Sequence, residues 1–362
     1  MKAPGLRRRI AGRADKKATA LRRGGEHVMG LSGDTSVIDR IYGRIANGTS
    51  FFQEGWGELS ELLVQDREGA KYRPPAEIDV IWNREYREGG INFSQGSFQS
   101  PFECASFPAR CRAAQIEVVL PRGWTRETPI CIHFAATGDQ GFGRRRRSMA
   151  LPLAERGMAG LLLENSFYGE RRPAGQKGKA LRTFADLWMM GASTVQEGLA
   201  LLRWLKSHGF TKLGVSGISM GGHMAASVAA LWPEPLAVSP CIAPHSAQVV
   251  FTEGLLMDHC DWGALDGTCL RPEEAVARMR ELLGVTDLRR YGVPAEPAAA
   301  FLVSARRDAY IPSWSPEALH AHWKGSTLRW LDAGHVTAFL FKRRAFQDAV
   351  ADSFAALDGS GV

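Results

Sequence analysis

From Gln115 onward the chain alternates short apolar runs with longer stretches of helical periodicity, and that rhythm limits what it can become. The runs IEVVL (116–120), PICIHF (129–134) and AGLLLE (159–164) are followed by KLGVSG (212–217), PLAVSPCIA (235–243), AAFLVS (299–304) and STLRWL (326–331). Most are apolar at consecutive positions rather than at every second one, as strands buried on both faces are. Between and after them, residues 145–156, 183–207, 220–231 and 336–357 read as helices. In the second of these Leu187, Met190, Val195, Leu199, Leu202 and Leu205 fall largely on one face. Strand after helix after strand predicts an α/β fold with a mostly parallel central sheet and helices on both faces. Residues 245–292, which include PEEAVARMRELLG, break the rhythm and read as an inserted cap or lid segment, placed to wall a substrate site.

The sheet domain is read as 111–362. Residues 32–110 look irregular apart from a short helix over 37–45: FFQEGWGEL, a Pro-Pro at 74 and 75, and INFSQGSFQSPFE. Their Trp and Phe residues need a surface to cover them, which predicts an N-terminal extension packed on the main domain.

Charge sits at the other extreme. Residues 1–25 hold nine Lys or Arg against the single Asp15, a net of +8 in a chain of +7, so everything after them sums to −1. The body is therefore no nucleic-acid binder. Residues 1–31 read either as a transit peptide or as a disordered basic tail, with Met29 as an alternative start. Secretion has no apolar run to support it. None of the six cysteines forms a C-x-x-C pair, and Cys131 and Cys241 lie among apolar residues, as buried thiols in a reducing compartment do. The uncharged run 235–252 is interrupted by Pro240, Pro244 and His245, so any membrane contact is peripheral.

Within VSGISMGGH, Ser219 stands between Gly217 and Gly221 in the spacing G-x-S-x-G, after an expected strand and before an expected helix. A serine attacks a carbonyl only when it is held clear of its own backbone. A tight strand-to-helix turn does this, and glycines on either side remove the Cβ atoms that would clash. The Met220 amide at the helix start then becomes an oxyanion donor. A serine in an ordinary glycine-rich loop is the alternative.

Such a serine needs a base, and the base a carboxylate. His335, in LDAGHVTAF, follows the last strand. Asp308, in FLVSARRDAYIP, follows the strand before it and completes the order Ser, Asp, His of this architecture. Asp332 is its rival. His223, four residues from Ser219 on one helix, is better suited to packing beneath the nucleophile. The second oxyanion donor is expected at Thr137 or Gly138, in the loop after PICIHF, where Asp139 also suits a helix N-terminus. No metal or organic cofactor is required.

Arg144, Arg145, Arg146 and Arg147 crowd the start of the next helix and want anionic partners: protein carboxylates such as Glu155 or Glu164, a substrate phosphate, or an anionic surface. In ENSFYGERRP, Tyr168, Arg171 and Arg172 are candidates for the mouth of the site, with core packing as the other reading of Tyr168.

IDRIYGRI, GWG, PICIHFAATGD with RRRR, LLLENSFYGERRP, DLWMMG, GISMGGHMA, RRDAYIP and GHVTAFLF, in that order, resemble the alpha/beta-hydrolase domain-containing protein 18 family. The resemblance implies an alpha/beta-hydrolase fold with Ser219, Asp308 and His335 as its triad. It further implies a mitochondrial lipid hydrolase that deacylates phospholipid, with cardiolipin favoured. Arg144 to Arg147 then become candidates for an anionic headgroup. A small-ester hydrolase or peptidase on the same triad, a non-catalytic scaffold binding lipid or protein, and a cytoplasmic or other location are the competing readings.

Overall fold

A computed structural model describes residues 36–46, 49–60, 75–266 and 272–359 of the 362. The basic opening, and with it the transit-peptide reading, lies outside the described residues.

Nine strands form one sheet in the order β1-β2-β3-β5-β4-β6-β7-β8-β9. They are β1 (Ile81–Glu88), β2 (Ile91–Gln99), β3 (Ala113–Leu120), β4 (Ile130–Phe134), β5 (Ala159–Leu163), β6 (Leu213–Ile218), β7 (Ala237–Cys241), β8 (Phe301–Ala305) and β9 (Thr327–Leu331). From β5 to β9 every neighbouring pair is parallel, whereas β1, β2, β3 and β5 pair antiparallel. Every residue of β4, β5, β6 and β7 is buried, which is why their apolar runs do not alternate.

The longer helices are α1 (Ser36–Ala46), α2 (Phe184–Ser207), α3 (Met220–Leu231), α4 (Trp314–His322), α5 (His335–Phe341) and α6 (Arg343–Gly359). A capping box between Thr183 and Asp186 starts α2. Leu201, Leu202 and Leu205 of α2 and Val228 of α3 join one core cluster with Ile132 and Val215 of the sheet. Phe346, Val350 and Phe354 of α6 join another with Cys131 and Val303. Helices thus cover both faces, as the rhythm of the sequence predicts. A third cluster unites Phe51 and Phe52 with Phe184 and Phe251, giving the aromatic residues near the N-terminus the surface they need.

Three expectations need correction. Residues 81–99, read as irregular covering, form a hairpin that extends the sheet through β3, so the sheet begins well before residue 111. Seven of the eight β1 residues are exposed at the edge, and so the strand carries little hydrophobic pattern. The Gly89-Gly90 turn, with φ of 58° and 87°, was its available signal. The helix expected over 145–156 runs instead as Gly143–Arg145, a π turn at Arg146–Ala150, and Leu151–Ala154. Pro152 has no N–H to give the Ser148 carbonyl four residues back, and Gln347 Nε2 donates to that carbonyl at 2.8 Å. The closing helix breaks at Lys342: α5 keeps Val336 and Ala338 buried beside the site, while α6 follows the sheet face.

The insertion between β7 and β8 is helical, with short segments at Ala247–Thr252, Leu255–His259 and Trp262–Asp266 and a 12-residue helix at Pro272–Leu283. Among the described residues no helix is long and apolar enough to cross a membrane. Cys104, Cys111, Cys131, Cys241 and Cys260 are buried.

Candidate active site

Ser219 ends the run from central strand β6 into α3, with φ 58° and ψ −122°, a left-handed conformation that costs a non-glycine residue energy. Close packing enforces the turn. A Cβ on Gly217 would collide with the Gly221 carbonyl, and one on Gly221 with the carbonyl of Phe134 at the end of β4. The hydroxyl is thereby held clear at the carboxyl end of the sheet, where parallel sheets place their ligands.

His335, the first residue of α5, brings Nε2 to 3.0 Å from Ser219 Oγ, and its Nδ1 lies 2.6 Å from Asp308 Oδ2. The other carboxylate oxygen of Asp308 accepts from the amides of Tyr310 and Ile311 at 2.8 and 2.9 Å, fixing its orientation. Burial disfavours charge on the His335 ring. Asp308, by its charge and hydrogen bond, and Asp39, by its charge, outweigh this and hold the pKa above the ordinary histidine value. The Tyr310 ring lies against the imidazole, with centroids 4.9 Å apart. The arrangement can take a proton from the serine hydroxyl and stabilise the imidazolium that forms.

Neither rival enters it. Asp332 pairs with Arg307 at 2.6 Å, with 75% of its side chain exposed. His223 is buried, with Nδ1 3.1 Å from the Pro244 carbonyl oxygen; burial pushes its pKa down to about 4.

The amides of the first turn of α3 have no side-chain cap, and Met220 lines the same cavity as Ser219. Thr137 reaches Met220 from the loop after β4, its Oγ1 3.7 Å from the methionine sulfur, and also lines the cavity. Gly138, at φ 74°, is held against Lys179, where a Cβ would meet the lysine Cδ at 2.6 Å. Its amide points toward the buried Tyr168 phenol without closing a full hydrogen bond. Met220 and Thr137 thus line the cavity with Ser219, whereas Gly138 does not.

The arginine run divides. Arg144 is half-exposed, lies over the Phe339 ring at 5.7 Å and lines the cavity. Arg145 is buried and spent inside the protein: it binds Asp139 at 2.8 Å and donates to the carbonyls of His133, Leu163 and Gly141. Arg146 binds the buried Glu117. Arg147 is exposed. Arg145 and Arg146 are thus structural ties and do not face a substrate. Their sequence neighbourhood concealed this because the partner carboxylate of Arg146 stands on β3. Glu164 accepts instead from the amides of Gly141 and Glu170. Arg171 also leaves the mouth: fully buried, it binds Glu197 at 2.5 and 2.8 Å. Tyr168 is both buried and part of the cavity wall.

Two functional candidates are not singled out by the sequence, although Asp39 lies in the segment IDRIYGRI. Lys179 lines the cavity, its pKa lowered by burial and by the charge of Arg144. Asp39, on α1, accepts from the amides of Ala309, His335 and Val336.

The sequence model described as alpha/beta hydrolase domain containing 18 matches residues 49–272 and 267–356. The chain belongs to that family. The family match spans β1 to β9 and includes Ser219, Asp308 and His335. In fold the chain is similar to acetyl xylan esterase 1 from Thermoanaerobacterium sp. JW/SL YS485, with a TM-score of 0.54 and 15% identity over 85% of this chain and 98% of that one. It is also similar to an acetyl xylan esterase from Paenibacillus sp. R4, with a TM-score of 0.51 and 15% identity over 84% and 98%. These likenesses establish the alpha/beta-hydrolase fold.

Proposed function

We propose that this chain is a carboxylic ester hydrolase that deacylates phospholipid, of cardiolipin type, through an acyl-enzyme. The observation that carries the reading is the Ser219–His335–Asp308 relay, joined at 3.0 and 2.6 Å and open to a large cavity. Ser219 Oγ attacks the acyl carbonyl as its proton passes to His335 Nε2, while Asp308 holds Nδ1–H. The Met220 and Thr137 amides receive the oxyanion. His335 returns the proton to the departing alkoxide, and a water, activated by the same imidazole, releases the fatty acid and restores the serine.

Two features favour a lipid over a small ester. The cavity holds about 1430 Å³, above the roughly 300–1,000 Å³ of ordinary small-molecule sites, and is walled by Leu181, Leu187, Trp188, Met190, Phe251 and Leu256. Part of that wall is the inserted segment. Arg144 and Lys179 add positive charge beside the site, which suits a phosphate-bearing donor. With residues 1–25 read as a transit peptide, the substrate membrane is mitochondrial.

The test combines labelling with product analysis. Purified wild type should react with a fluorophosphonate probe and Ser219→Ala should not. On mixed phospholipid vesicles the wild type should deplete cardiolipin and release its lyso form. Absence of a serine-dependent label in folded protein rejects the enzyme reading; loss of neutral esters alone rejects the phospholipid reading.

A further inference from the structure

We propose that Asp39 is a positioning residue of the relay: one carboxylate, delivered by the N-terminal helix, fixes the backbone at both the acid and the base. This rests on the hydrolase reading above and goes beyond it. Oδ2 of Asp39 accepts from the amides of Ala309 at 3.1 Å and His335 at 2.8 Å, and Oδ1 from Val336 at 2.9 Å. Ala309 follows Asp308 directly, so the two loops that carry acid and base share a single anchor.

The anchor answers a local deficit. Helix α5 begins at His335 behind Gly334, which has no side chain to receive the first helical amides. A buried carboxylate supplies the missing acceptor, and its charge suits a helix N-terminus. It arrives from 296 residues upstream. A carboxylate with no exposed surface is costly unless its oxygens are hydrogen-bonded, and here three amides satisfy them.

Helix α1 is also fitted closely to the site. One turn beyond Asp39, a Cβ on Gly43 would stand 3.0 Å from Leu255, 3.2 Å from the Tyr310 hydroxyl and 3.3 Å from His259 Nε2. Tyr310 in turn covers the His335 ring. The groups facing this corner are Asp39 and Tyr42 from α1, Asp308 and Tyr310 from the loop after β8, and His259 from the insertion. Asp39 and Asp308 are the two whose charge acts on the imidazole. Asp39 precedes the family match, which begins at residue 49.

The experiment uses the full chain with Asp39→Asn and Asp39→Ala. Hydrolysis of p-nitrophenyl butyrate is followed across pH, and the His335 ring proton is titrated by NMR, its resonance assigned with His335→Gln. Asparagine keeps one acceptor oxygen and loses the charge. The expected result is a fall in kcat of ten-fold or more for Asp39→Asn, a larger one for Asp39→Ala, and KM within about two-fold. The acid limb and the NMR titration should both move to lower pH. Wild-type kcat with an unmoved limb overturns the proposal, as does a lower kcat explained wholly by loss of folded protein with an unmoved NMR titration. A wild type inert to esters and fluorophosphonate would reject the hydrolase reading instead, and the NMR titration would still report on Asp39.

Discussion

Arg145 Nε stands 2.8 Å from Asp139 Oδ2 in the protein interior, and the same guanidinium gathers carbonyls from β4, β5 and the loop between Thr137 and the helical turns. The pair ties the expected oxyanion loop to the ends of two neighbouring strands.

Breaking that tie should be far more harmful than removing the neighbouring cation. Arg145→Ala takes the close partner from the buried Asp139 and leaves it only the half-exposed Arg144 at 3.8 Å, with an expected cost of about 3 kcal/mol in urea unfolding. Arg144→Ala, at a half-exposed position, should change stability by no more than about 0.5 kcal/mol. It should instead raise KM on anionic vesicles. Equal destabilisation by both would show that Arg145 is not the tie described.

The raised pKa of His335 sets the acid limb of activity. Only the neutral ring accepts the serine proton, so kcat/KM should fall as pH drops through a value above the ordinary histidine pKa of about 6.5. A rate profile on p-nitrophenyl butyrate that stays flat down to pH 5.5 would contradict the arrangement.

Acid should also loosen the fold. Burial, with Arg145 nearby, pushes His133 down to about 3, and burial pushes His223 and His245 to about 4. Each stays neutral when folded and takes up a proton on unfolding below about 6.5. Stability is therefore full above that value and is lost toward pH 4, by about 1.4 kcal/mol per pH unit for each histidine. His335 works in the opposite sense, its contribution being lost as pH rises, but it is one against three. Thermal unfolding between pH 7.5 and 5 should show a falling Tm; a constant Tm would refute the buried neutral histidines.

Two glycines in α2 separate packing from propensity. A Cβ on Gly198 would meet the Phe134 ring at 2.7 Å and Val228 at 2.9 Å, so Gly198→Ala should destabilise. At Gly191 the nearest of the described atoms is the Met224 methyl at 3.9 Å. Gly191→Ala should therefore stabilise by about 1 kcal/mol, the helix propensity difference. Paired denaturation curves test the opposite signs.

The sequence by itself determined the parts governed by near neighbours. Consecutive apolar residues in PICIHF and AGLLLE mark strands buried on both faces, and G-x-S-x-G between a strand and a helix marks the turn at Ser219. The order Ser219, Asp308, His335 could be read because each follows a strand of recognisable pattern. Tertiary structure decided what depends on partners remote along the chain. It alone turned Arg145, Arg146 and Arg171 inward, because the strand-end carbonyls of His133 and Leu163, and the carboxylates of Glu117 and Glu197, meet them only after the sheet has formed. It alone added the hairpin at 81–99, whose exposed edge strand has little apolar pattern to announce it. And it alone brought Asp39 to the amides of Ala309, His335 and Val336, since backbone donors carry no sequence signature and a carboxylate 296 residues away finds them only through the packing of α1.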